Sequence, residues 1–118
     1  MIIEPIQCLP SSLTLRERIQ IFARAAVAVE QETGFPALVL AAAWGVESEW
    51  GRNEVTIRKR AGSWHECLMS FAADLRGSAG EPLTVLDMCA TLDRLIPGIA
   101  NACESWSLKE ALQKARRA

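Results

Sequence analysis

The residues best placed to do chemistry stand in Ala41–Gly51, AAAWGVESEWG, where Glu47 and Glu49 close the most apolar run of the chain. At helical spacing Glu47 shares a stripe with Leu40, Ala43, Trp44 and Trp50, since positions three, four and seven apart lie on one face. Packing against indoles and the negative end of the helix dipole both disfavour an ionised carboxylate there. A carboxyl group kept protonated near neutral pH is what a general acid needs to cleave a glycosidic bond. The plainer alternative is a solvated acid in a frayed last turn, with an idle Glu49 beside it.

Glycoside hydrolysis also asks for a second carboxylate, about 5–5.5 Å away in a retaining enzyme and about 6.5–9.5 Å in an inverting one. The candidates are Glu54, in the segment after Gly51, and Glu66, at the start of the next amphipathic stretch. Sugars stack on aromatic faces, and the chain has four tryptophans, Trp44, Trp50, Trp64 and Trp106. A Trp on an apolar stripe is more often core. Trp64 is read that way, whereas Trp50, just before Gly51, is the best placed to face a cleft. Trp50, Trp44 and Ser48 are the substrate-binding candidates.

The same stretch resembles the flagellar-type β-N-acetylglucosaminidases of peptidoglycan, a branch of the lysozyme-like hydrolases. In these a segment of the form "tGiPasvllAQaalESgWG" makes the catalytic helix, and its Glu is the proton donor. Thr33, Gly34, Pro36, Ala42, Glu47, Ser48, Trp50 and Gly51 match that pattern. The resemblance covers about Ile19 to Gly51 and implies a lysozyme-like helical lobe with Glu47 as the acid. Ala43 stands where the family has Gln, and Glu49 where it has a small residue. The family's Asn-Phe-Phe-Gly-type segment is absent, as is the Tyr common along its sugar cleft.

These residues need elements to hold them. From Pro36 to Val46 every residue is apolar or glycine, and a helix apolar all round must be wrapped by others. Pro36 suits a first turn and Gly51 a left-handed helix end. Before it, Thr14 and Glu17 have capping-box spacing, and Leu15, Ile19, Phe22, Ala26 and Val29 mark one apolar face up to Thr33-Gly34. The short turn between predicts an antiparallel hairpin of helices. Val55 and Ile57 alternate with polar residues, which predicts a short strand or hairpin arm. Arg52, Arg58, Lys59 and Arg60 make a basic cluster there, read as a partner contact or as a solvated loop.

Further on, Ser63 and Glu66 have capping-box spacing, followed by Trp64, Cys67, Leu68, Phe71, Ala72 and Leu75 up to Gly77. Pro82 opens a helix with the face Val85, Met88, Cys89, Leu92, Leu95 and Ile96, which Pro97-Gly98 breaks. A short helix follows over Ile99 to Cys103, and a last one carries Leu108, Ala111, Leu112 and Ala115, capped by Ser107 with Glu110. The expected fold is all-α, with five or six helices around one apolar helix and at most a vestigial β-hairpin, in a single domain over residues 1–118.

Composition narrows the partners. Half of the 118 residues are hydrophobic and the formal net charge is −1, which argues against disorder and gives no electrostatic case for nucleic acid or an anionic membrane. No apolar run reaches spanning length. Met1–Pro10 lacks the pattern of a secretion signal, so a cytoplasmic chain is expected; a wall hydrolase would then leave by a holin, a fusion partner or a secretion machine. Cys8, Cys67, Cys89 and Cys103 with a single His form no zinc pattern, and reduced core thiols are expected, with no metal or cofactor. Three readings remain: a peptidoglycan hydrolase acting on a glycan strand; a lysozyme-like scaffold turned binding or inhibitory protein, such as a small phage or mobile-element protein that blocks a host complex; and a helical subunit of a larger assembly.

Overall fold

Thr14 and Glu17 start the first helix as their spacing predicts: the Glu17 N–H donates to the Thr14 hydroxyl at 3.1 Å, and the Thr14 N–H donates back to the Glu17 carboxylate at 3.0 Å. The computed structural model describes residues 12–52, 64–80 and 84–117. Among the described residues there are six helices and no strand: α1 Leu15–Thr33, α2 Ala37–Ser48, α3 Trp64–Ala79, α4 Val85–Asp93, α5 Ile99–Cys103 and α6 Trp106–Arg117. The arm expected at Val55–Ile57, the Ser63 cap and Pro82 lie outside the described residues.

α1 ends where Gly34 takes φ 76° and its N–H returns to the Glu30 carbonyl, a left-handed closure that a residue with a Cβ adopts at a cost. Ile19, Phe22, Ala26 and Val29 are buried, while Leu15 at the entry of the stripe is half exposed. α2 touches every other described helix. Nine of its twelve residues are buried, Trp44 among them, so the sequence without a polar face is the one the others enclose. Each large side chain removed from water there contributes about 1.5–3 kcal/mol.

α2 has no side-chain cap of its own at Pro36. Its first N–H, on Ala37, is bonded instead by the Glu30 carboxylate of α1 at 2.7 Å, and Arg116 of α6 grips the same carboxylate at 3.2 Å. α3 is fixed at its far end by Arg76, whose guanidinium donates to the Thr33 carbonyl and lies 5.8 Å from the Phe35 ring centre. Thr84 caps α4 through the Asp87 N–H, and Asp93 accepts the N–H groups of Gly98 and Ala100 to start α5. The cap of α6 is Ser105, which accepts the Leu108 N–H, and not Ser107 as the spacing suggested. The chain enters that helix two residues earlier, and Ser107 is an exposed residue of its first turn.

Candidate functional site

Glu47 is the penultimate residue of α2, half buried, with no basic residue in that last turn to offset the helix dipole. It lines a groove of about 290 Å³ with Phe71, Asp74, Leu75 and Ser78 of α3 and Leu92, Leu95 and Ile96 of α4 and the turn after it. The α3 residues recur at three- and four-residue intervals, one face of the helix turned toward the end of α2. The groove is therefore a trough of five apolar side chains and Ser78 with two carboxylates, Glu47 from one wall and Asp74 from another. Leu95 stands 61% exposed at its edge.

Asp74 is the acid that sequence reasoning missed. It falls three residues after Phe71 and one before Leu75, on the margin of a stripe read as core. An acid at the edge of an apolar stripe is the signal that was available. Glu66, the acid expected from this helix, lies eight residues earlier in the exposed first turn, about 12 Å back along the axis at 1.5 Å per residue. It does not line the groove. Glu54 lies outside the described residues, as do Arg58, Lys59 and Arg60. Arg52 is exposed beside the turn that follows α2.

The substrate-binding candidates Trp44, Ser48 and Trp50 do not line the groove either. Trp44 is 1% exposed and meets Phe71 edge to face at 5.2 Å, so its face belongs to the core. Ser48 is fully buried; its hydroxyl donates to the Trp44 carbonyl at 2.6 Å and accepts the Gly51 N–H at 3.1 Å, which ties the helix end to the turn. Trp50 does not continue the stripe of Glu47. Glu49, Trp50 and Gly51 take φ of 52°, 56° and 86°, three left-handed residues in succession, and this reversal folds the indole back over α2. There it packs 5.5 Å from the Phe22 ring. The close approach is open only because position 45 is glycine: a Cβ there would lie 2.6 Å from the Trp50 ring.

Left-handed φ costs a residue with a side chain about 1–2 kcal/mol, so the surroundings must hold Glu49 and Trp50 in place. Part of that hold comes from Arg18, the one buried cation among the described residues. Its guanidinium donates to the Trp50 carbonyl at 3.1 Å and, through Nε, to the Leu13 carbonyl at 3.4 Å. Arg18 sits one residue before Ile19, at the edge of the α1 stripe, where no spacing marks it for burial. The outcome is a braced turn after α2 that leaves Glu47 at the groove and packs the partly buried Trp50 against the core.

His65 and Glu32 meet at 3.1 Å on the exposed surface, far from a catalytic setting, and Cys67 two residues on is buried. Among the described residues no three His, Cys, Asp or Glu side chains gather so as to hold a metal ion, and no helix is long and apolar enough to cross a membrane. No protein family, curated protein or solved structure matches the chain.

Proposed function

We propose that the groove at the end of α2 is the cleft of a small glycoside hydrolase acting on a peptidoglycan-type glycan strand. Glu47 is its proton donor, and Asp74 is the second carboxylate. The observation that carries this reading is the pair itself: two acids from different helices share one groove whose other lining residues are apolar except Ser78. A glycosidase divides its work between such a pair, one carboxyl protonating the leaving oxygen and the other attacking or activating water. Support also comes from the resemblance of the α2 segment to a catalytic helix ending in Glu-Ser-x-Trp-Gly, and from the rigid left-handed turn that fixes the position of Glu47.

A second reading is favoured by the burial of Trp44 and the inward packing of Trp50, which offer the groove no indole platform for a sugar ring among the described residues. On that reading the scaffold is a binding or inhibitory protein. One experiment separates the two. Wild type and Glu47→Gln are mixed with purified, insoluble cell wall; soluble reducing ends are measured, and so is the protein that sediments with the wall. Hydrolysis by wild type alone, with both proteins sedimenting, supports the hydrolase. No hydrolysis and no sedimentation from either folded protein sinks it and leaves the binding reading.

A further inference from the structure

Cys89 of α4 and Cys103, the last residue of α5, are both buried, and their sulfurs lie 2.8 Å apart. Nothing in the sequence pairs them: they are fourteen positions apart and belong to no Cys-x-x-Cys motif. The turn from Arg94 to Gly98 brings the two helices together, and Asp93 fixes it by accepting the N–H groups of Gly98 and Ala100 at 3.1 and 3.0 Å. A disulfide has a sulfur–sulfur bond of about 2.05 Å. The remaining closure is therefore about 0.8 Å, within the reach of side-chain rotation.

We propose that Cys89 and Cys103 form a redox site, a dithiol that low-molecular-weight disulfides convert to a disulfide clamping α4 to α5. The two thiols are unequal. The hydrogen bond from Cys103 pulls the Cys89 thiol below its usual range against the effects of burial and the Asp93 charge; the same bond, with burial, pushes Cys103 up. Cys89 is thus the attacking sulfur. Its thiolate attacks one sulfur of oxidised glutathione, forming a mixed disulfide and expelling a glutathione thiolate that takes up a proton. Cys103 then gives up its proton and displaces the second glutathione from Cys89. Two protein thiols become one disulfide, and one glutathione disulfide becomes two thiols.

A tripeptide reaches this pair only when the structure opens locally. α5 is the element that permits it: one of five residues, with the N–H groups of its cap residue Gly98 and of Ala100 held by the single Asp93 carboxylate. Leu92, Leu95 and Ile96, which form one wall of the Glu47 groove, lie between the two cysteines in sequence. Closing the link fixes that wall.

The test is to equilibrate the full chain with oxidised glutathione, block the remaining thiols, digest with trypsin and map the cross-links. Each cysteine falls on a different tryptic peptide. A disulfide reagent is preferred to a peroxide because Met88 adjoins Cys89. The expected product joins the peptide Gly77–Arg94 to the peptide Leu95–Lys109, is lost in Cys89→Ser and in Cys103→Ser, and disappears on reduction. The thermal midpoint of the oxidised chain is expected to exceed that of the reduced one by on the order of 10 °C. Four blocked thiols, a link through Cys8 or Cys67 instead, or an unchanged midpoint would overturn the proposal.

Discussion

The Glu30 carboxylate of α1 accepts the Ala37 N–H at 2.7 Å, so the first helix supplies the N-cap that the central helix lacks. Arg116 holds the same carboxylate from α6. One acid near the end of α1 therefore joins three helices, and its removal should be felt well beyond its own position. Glu30→Ala is expected to cost about 1–2 kcal/mol, the range of a lost N-cap, read as a lower urea midpoint at neutral pH.

The same contact predicts a response to acid. Burial pushes the Glu30 carboxyl up, but the hydrogen bonds from Arg116 and Ala37, together with the Arg116 charge, outweigh it and hold the group below its ordinary value of 4.5. A group depressed in the folded state contributes fully above its unfolded value and loses that contribution as pH falls through the folded one. Wild type should thus lose more stability than Glu30→Gln between neutral pH and about pH 3. Parallel acid titrations of the two proteins check this; equal losses would remove Glu30 from the account.

Gly45→Ala adds a methyl group where the Trp50 ring already stands, 2.6 Å from the new atom. Overpacking of this kind costs about 1–3 kcal/mol. The indole is braced against Phe22 and cannot simply swing away. In a Trp50→Ala background the clash vanishes, and the same substitution should become neutral or stabilising, because alanine favours a helix over glycine by about 1 kcal/mol. A double-mutant cycle measures the difference.

Arg18→Met keeps the aliphatic stem and removes the donors to the Trp50 and Leu13 carbonyls. Hydrogen bonds from a charged donor contribute about 1.5–3 kcal/mol each way of counting, and a loss within that range is expected on urea unfolding. The strained residues Glu49 and Trp50 should relax first, seen as faster amide exchange over 49–52 than in α2.

On the proposed hydrolase reading, Glu47→Gln and Asp74→Asn should each lower the rate of wall hydrolysis by about 10²–10⁴-fold, the usual contribution of a positioned acid or base. Glu66→Gln should leave the rate unchanged. Release of reducing ends from purified wall measures all three, with circular dichroism to show that each variant is folded. Activity that survives Asp74→Asn but not Glu66→Gln would reverse the assignment.

The sequence by itself determined the helices. Capping chemistry, glycine stops and three-to-four-residue stripes are local, and they placed α1 from Thr14 to Gly34 and the end of α3 within two residues, whereas α4 stops at Asp93, short of the Leu95 and Ile96 read onto its face. It also determined which helix lies at the centre, because a segment without a polar face has only one stable address. Tertiary structure decided which acid shares the groove with Glu47, where Trp50 points, and that Cys89 meets Cys103. Each depends on how the helices come to lie against one another and on a reversal at Glu49 to Gly51, a backbone choice that non-glycine residues make only when distant partners such as Arg18 and Phe22 hold them to it. Spacing along a helix reports which residues share a face; it carries no record of what a second helix brings to that face.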